Sequence, residues 1–580
     1  MNRTGYIFYI ISFVSIYFIL NSFIYVKFQQ EVLPAGDPFT YTVGFFKLIN
    51  YASASIENYV KAVVAVCSPF GPNWYWVLNL FVAILSPILP NESFAISVIN
   101  IGLFGTASVF AFYFARSQEI SKPLSLISAM IIWIFPVNYG FSTYESLPVL
   151  GLDASFAAVY TIACFATLIF VNSPEKLHSA IFAGILVGFS VWGRGNSIPT
   201  IGLILFVPIV WMIFKKRIFY ERKVLVNCFL FTLISIVFAA YFYYSNWQAL
   251  ANYYANHTSF FSRHAWNLSD ASKWIANIPG FLFWRNESAP STIIITVLCH
   301  VFMVASLIAA FMPRTHRVEK INIIRLLSIS GAFIYFVQLL VNIIFFTDPL
   351  FSLLNVLLIY RPMTLGMTLS LMSVLFLLYE YKKIVISERA IVPSLLVLLI
   401  WGIAFTYIQT PWNRGHNLDS PKKVERFAEG IDDQIGEGAI SILWYGHYNP
   451  SILRYYRTKN KLEPLMFARF GHADQMWSAS DHSNQNRSKT IKEIRKHIQN
   501  ASLLIVPEFL DMYQGPYAFY KFSEDWAKIF SEPESPTFRI IKYLKEPQGR
   551  LLVLKREDLS SNLGDPLSLP YGRRPSSQRN

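Results

Sequence analysis

The chain has 580 residues, 54% of them hydrophobic and 17% aromatic, with only 14% charged. That composition exceeds what the core of a soluble domain needs, and apolar stretches of about twenty residues recur, enough to cross roughly 30 Å of hydrocarbon as helices. A soluble enzyme is excluded, and the net charge of +14 needs no nucleic-acid partner, because a one-sided distribution of Lys and Arg accounts for much of it.

Eleven spans are predicted, at about 6–26, 94–115, 123–141, 152–171, 178–193, 198–214, 224–245, 292–312, 326–346, 352–379 and 390–409. No small-residue cleavage site follows the first, so it reads as a retained helix and not a signal peptide. The segment 27–93 is too long for a plain loop. Within it, "DPFTYTVGFFKLINYASASIENYVKAVVAV" and "NWYWVLNLFVAILSPILP" read as helices lying at the outer interface, where Trp and Tyr are favoured. The alternative for the second is a genuine span, which would invert everything after it.

With the N-terminus inside, the inner loops 116–122, 172–178, 215–223, 313–325 and 381–389 carry fifteen Lys and Arg in 45 positions. The outer connections 27–93, 142–153, 193–198, 246–291 and 347–350 carry seven in 135. This asymmetry sets the orientation, and an odd number of spans then puts residues 410–580 outside. There "AISILWYG", "SLLIVPE", "FRIIKYL" and "LLVLKRE" read as strands. "PKKVERFAEGIDDQI", "NRSKTIKEIRKHIQN" and "PYAFYKFSEDWAKIF" between them read as amphipathic helices. The expected organisation is a membrane domain over 1–409, an extracytoplasmic α/β domain over 410–557 and a polar, disordered tail over 558–580. Cys67, Cys164, Cys228 and Cys299 all sit in apolar or near-membrane sequence, which suits packing and not a disulfide framework or a thiolate metal site.

Few ionisable residues are expected at the outer membrane surface: Asp37, Glu145, Asp153, Arg194, Arg263, His264, Asp348 and Arg361. Such groups are costly beside lipid unless they pair or face water, which makes each a functional candidate. Read locally, Asp37 before Pro38 is a helix N-cap with proline at N1. Asp153 caps the fourth span and opposes its dipole, and Glu145 before it is compatible with plain solvation. Arg194 stands between two glycines in "WGRGNSIPT", either gripping a phosphate bidentately or snorkelling to headgroups. Arg361, beside Tyr360, lies about ten residues into an apolar stretch and is followed by Pro362. An interrupted helix there would expose carbonyls to a cavity, and a phosphate ligand is the preferred reading. Arg263 and His264 fall in an aromatic, amide-rich segment equally suited to sugar binding and to a membrane interface. No spaced cluster of His and carboxylates forms a metal site, so the residues indicate no cofactor, and a divalent metal stays open as the alternative.

These features resemble the type C superfamily of integral-membrane glycosyltransferases, which includes lipid-linked-sugar-dependent protein mannosyltransferases and lipid A aminoarabinose transferases. "AGDPFTYT" is similar to that family's acidic motif in the first outer loop. "SPFGPNWYWVLNLFVAILSPILPNESFAISVINIGLFGTASVFAFYFAR" resembles its proline-bounded interfacial helix and second span. "GLDASFAAVYTIACFATLIF" resembles its acid-headed fourth span, and "GILVGFSVWGRGNSIPTIGLIL" its fifth and sixth spans. Position 38 is proline where some members carry a second acid, which argues against metal dependence. The resemblance implies a donor sugar on a polyprenyl phosphate, a hydroxyl acceptor on a glycan, lipid or protein, and inversion at the anomeric carbon. It further implies Asp37 as general base, Arg361 and Arg194 on the departing phosphate, and Asp153 orienting the acceptor or an arginine. Capping and catalysis are compatible roles for Asp37, since a cap fixes the backbone that carries the base. Two rivals remain open: an O-antigen-type polymerase or ligase, and a transporter, which would require inverted repeats and charges near mid-bilayer. Without a C-terminal retrieval signal, a bacterial inner membrane is the expected location.

Overall fold

The structure, a computed structural model, describes residues 3–29, 48–67, 82–88, 92–131, 152–192, 197–215, 221–264, 290–311, 318–345, 365–380, 388–409, 439–442, 467–469, 495, 499, 501–507, 536–546 and 549–557. The chain divides into a helical unit and a unit that carries a β-sheet. The principal helices are α1 (Arg3–Gln29), α2 (Ile56–Cys67), α3 (Glu92–Ser117), α4 (Lys122–Met130), α5 (Leu152–Asn172) and α6 (Leu177–Val191). They continue with α7 (Ser197–Lys215), α8 (Arg222–His264), α9 (Pro290–Phe311), α10 (Val318–Phe345), α11 (Leu365–Glu380) and α12 (Ile391–Gln409).

Each predicted span overlaps one of these helices, but two helices run well past the predicted limits. α8 continues to His264, beyond an expected end near 245, and α10 begins at Val318, ahead of an expected start at 326. Hydropathy falls at both places, yet neither helix contains glycine or proline in the overrun, and backbone hydrogen bonding continues until something breaks it. The connection read as 246–291 therefore starts as helix.

Among the described residues one segment, Arg222–Tyr244 of α8, is long and apolar enough by itself to cross a membrane. Shorter apolar helices lie within α1, α5, α6, α7, α10, α11 and α12. Their outward faces are informative. Leu225, Val226, Phe229, Leu233, Ile236 and Val237 of α8 are all exposed, Phe229 at 64%, as are Val392, Leu396, Val397 and Ile400 of α12. A helix in water turns polar residues outward, whereas these faces are apolar, as a lipid surround requires.

The shortest connections are closed by their own backbones. At the end of α3, Glu119 takes a left-handed φ of 60°. The Ile120 amide then reaches Ala115 O at 3.3 Å and the Glu119 amide reaches Arg116 O at 3.1 Å, a Schellman closure with Ile120 buried over it. The Arg116 guanidinium donates to Ile120 O, so one of the cations of the 116–122 connection satisfies a carbonyl. Between α5 and α6, the buried Asn227 of α8 donates to Pro174 O at 2.8 Å.

The second unit holds a five-stranded sheet of β1 (Ala439–Ile442), β2 (Phe467–Arg469), β3 (Ala501–Pro507), β4 (Phe538–Glu546) and β5 (Gly549–Arg556) in the order β2-β1-β3-β5-β4. β1 runs parallel to β2 and β3, while β5 pairs antiparallel with both β3 and β4. Leu503, Leu504, Leu552, Val553 and Leu554 are buried in it. Four of these strands coincide with predicted ones, and β2 was not expected. The three helices predicted between the strands lie outside the described residues apart from Arg495 and Gln499, as does the tail 558–580.

Candidate functional site

Asp37, Glu145, Arg194, Tyr360 and Arg361 lie outside the described residues. Asp153 is the second residue of α5, in its first turn, and Arg263 and His264 are the last two residues of α8. What the described helices establish is direction, and direction determines which end of the helical unit each neighbouring segment leaves from.

α1 and α3 are antiparallel: Tyr6 stacks on Phe112 at 6.1 Å, while Val14 lies beside Gly105. α6 and α8 run parallel. A Cβ on Gly184 would meet Phe231 O at 2.9 Å and one on Gly188 would meet Phe238 Cβ at 2.5 Å, so the two backbones approach as closely as glycine allows. Further along the same crossing, the Trp192 indole N–H donates to Phe238 O at 2.7 Å and its ring packs against Phe189 and Tyr241. The first turns of α8 meet the last turn of α5, with Phe170 stacked on Phe231 at 5.2 Å. One end of this group thus gathers the start of α1, the end of α3, the α5–α6 connection and the start of α8, and it carries Arg116, Lys122, Lys176, Arg222 and Lys223. Lys122 lies over the Tyr6 ring at 5.8 Å.

The opposite end receives the end of α1, the start of α5 with Asp153, and the end of α6. Trp192 pins the last turn of α6 to α8, and α7 restarts at Ser197, so Arg194 belongs to a connection of four residues, 193–196, with one side anchored.

A second polar feature was missed from the sequence. In α9, α10 and α11, Ser306 donates to Ser328 at 2.9 Å, Ser328 pairs with Ser373, and Ser373 reaches Ile324 O at 3.2 Å. Gly331 and Gly366 face each other in the same seam, where a Cβ on either would stand 2.6 or 2.7 Å from the other's carbonyl oxygen. Next along, the buried Tyr335 hydroxyl shares a hydrogen bond of 2.9 Å with His300 Nε2. These contacts run antiparallel between α9 and α10 and between α10 and α11. The signal in the sequence was the small-residue spacing Ser328/Gly331 and Gly366/Ser370/Ser373, which lets helices pack closely in lipid. The seam fixes α11, whose first described residue lies four positions after Arg361 in the sequence. Among the described residues no three His, Cys, Asp or Glu side chains come together to hold a metal ion.

No family model and no curated protein matches the sequence. Among solved structures, the chain is similar to ArnT from Cupriavidus metallidurans, solved with undecaprenyl phosphate, at 10% identity and TM-score 0.44, over 97% of this chain and 100% of that one. It is similar to the Archaeoglobus fulgidus oligosaccharyltransferase tethered to an acceptor peptide at 12% identity and TM-score 0.45, over 94% of this chain and 74% of that one. It also aligns with the arabinofuranosyltransferase AftD from Mycobacteria at 11% identity and TM-score 0.47, over 96% of this chain and 40% of that one.

Proposed function

We propose that the protein is an integral-membrane glycosyltransferase that moves a sugar from a polyprenyl-phosphate donor to a hydroxyl acceptor on the outer face of a bacterial inner membrane. The observation that carries this reading is the polarity of the helical unit. Its basic end matches the cytoplasmic side, and α1, α5 and α6 turn their other ends, with Asp153 among them, to the side where the sequence resemblance puts its acids and phosphate-binding arginines.

The chemistry follows from the residue types. The acceptor oxygen attacks the anomeric carbon and the bond from that carbon to the lipid phosphate oxygen breaks. Asp37 accepts the proton released from the acceptor hydroxyl. Arg361 and Arg194 stabilise the charge that accumulates on the departing lipid phosphate, where bidentate guanidinium contacts are most effective. Asp153 orients the acceptor or holds an arginine in place, and one displacement inverts the anomeric configuration. Glu145, Tyr360, Arg263 and His264 are further substrate contacts in this scheme, and the sheet-bearing unit lies on the extracytoplasmic side.

The test is reconstitution of the full chain with labelled polyprenyl-phosphate sugars. Asp37→Asn is expected to fold and to lose transfer by at least ~10²-fold, the contribution typical of a general base. Full transfer by a well-folded Asp37→Asn, or a product with retained configuration, overturns the scheme.

A further inference from the structure

The β4–β5 hairpin, "FRIIKYLKEPQGRLLVLKR", carries six Lys and Arg against a single Glu546. Register shows how these charges are arranged. Arg539 of β4 stands directly opposite Lys555 of β5, at the spacing of roughly 5 Å between facing residues where like charges destabilise a sheet. The pairing then slips between Ile540 and Lys542, so that Lys542 faces Val553. Regular pairing would have set Ile541 against Val553 and turned Lys542 to the other face, beside Leu552. The bulge instead returns Lys542 to the side that carries Arg539 and Lys555, so that the three cations stand at the margin of the buried Leu503 and Val553. Bulges commonly re-aim a side chain in this way.

Charges on an edge strand often serve only to block further strand pairing. That explanation does not reach Lys555, because β5 is an inner strand paired on both sides, with β3 and β4. Arg539 and Lys542 are exposed, Lys555 is half-buried, and none has an acidic partner among the described residues. A like-charged pair and a bulge that adds a third cation to it are unfavourable for the sheet alone and favourable once an anionic surface lies against them.

We infer that this bulge-assembled basic margin docks on the anionic phospholipid headgroups of the bilayer that holds the helices. The inference rests on the membrane reading above. The occupant is argued from the tether: 29 residues separate the end of α12 from the start of β1. At no more than about 3.6 Å each, they keep the sheet within roughly 100 Å of the bilayer surface. Within a Debye length of that surface, about 8 Å, each cation strengthens association with anionic lipid roughly fivefold, and salt screens the effect.

The test is amine footprinting of the full chain in nanodiscs, reading acylation of Lys542 and Lys555 by mass spectrometry. Discs of phosphatidylcholine with about 30% phosphatidylglycerol are expected to slow both at least fivefold relative to phosphatidylcholine alone, with recovery in about 0.5 M NaCl. Arg539→Ser is expected to weaken the protection of both lysines. The double variant Lys542→Tyr with Tyr543→Lys keeps the charge but moves it to the other face, and the relocated amine at position 543 is expected to stay reactive in both discs. Equal acylation of the wild type in the two discs overturns the inference. So does equal protection by soluble polyglutamate or inorganic phosphate in phosphatidylcholine discs. The readout is protection and not turnover, so failure here leaves the transferase proposal standing, and an inactive transferase leaves this proposal standing.

Discussion

Replacing Gly331 by alanine tests how closely α10 and α11 approach each other. The added Cβ would lie 2.6 Å from Gly366 O, where ordinary contact begins at 3.4 Å, so the two backbones must part by the difference, about 0.8 Å. Interiors do not absorb such a shift locally, and overpacking of this kind costs about 1–3 kcal/mol. Parting the helices also stretches the Ser328 to Ser373 contact on one side of the crossing, worth about 1 kcal/mol, while alanine returns about 1 kcal/mol in helix propensity. The expected net loss is about 2 kcal/mol, or roughly 30-fold in the folded-to-unfolded ratio. Thermal unfolding in detergent is the assay, with Gly102→Ala as the comparison, since nothing lies within 4 Å of a Cβ there. Gly102→Ala should melt at or slightly above wild type, and Gly331→Ala several degrees below it. Because the described part of α11 begins only four residues after Arg361, transfer by Gly331→Ala should also fall by up to about 10²-fold, the effect of misplacing a reacting group by about 1 Å. A Gly331→Ala protein that melts with Gly102→Ala and transfers at the wild-type rate would refute the reasoning.

Trp192→Phe keeps the ring packing but removes the donor to Phe238 O, and should cost about 1 kcal/mol in thermal unfolding while loosening the anchored side of the Arg194 connection. That loosening is expected as a raised KM for the lipid-linked donor. Ser328→Ala strands the buried hydroxyl of Ser306 and should cost about 1–3 kcal/mol, whereas the triple alanine variant of Ser306, Ser328 and Ser373 should recover most of that loss, because no donor is then left unpaired. Asp153→Asn should lower transfer while shifting stability by no more than about 1 kcal/mol, the range of a charge in the first turn of a helix.

The positions of the helices were legible because hydropathy and helix formation coincide through most of this chain. They separate where polar residues continue a helix without a breaker. "SNWQALANYYANHTSFFSRH" lowers the hydropathy after Tyr244, yet it offers no proline or glycine at which α8 would stop. β2 escaped notice for the opposite reason: Phe467–Arg469 is too short to show any period, and a parallel neighbour supplies its only partner among the described residues. Strands β3, β4 and β5 were readable as apolar or alternating runs, but the bulge at Ile540/Lys542 was not, since register belongs to a pair of strands and not to either one. The acids and arginines were picked out by their rarity in apolar sequence. The serine and glycine seam of α9, α10 and α11 was overlooked because small residues carry no charge and little hydropathy, and their role emerges only when three helices are seen together.

α8 has a mechanical consequence. α6 holds it as far as Phe238, where Trp192 donates to its backbone, and 26 residues separate that contact from His264, about 39 Å at 1.5 Å per residue. A rod of that length, tilting by only about 5° about the contact, sweeps its far tip through about 3.4 Å, more than half a helical pitch. A small tilt of α8 at its packed, apolar part is therefore passed on as a larger displacement at its far end, where Arg263 and His264 stand.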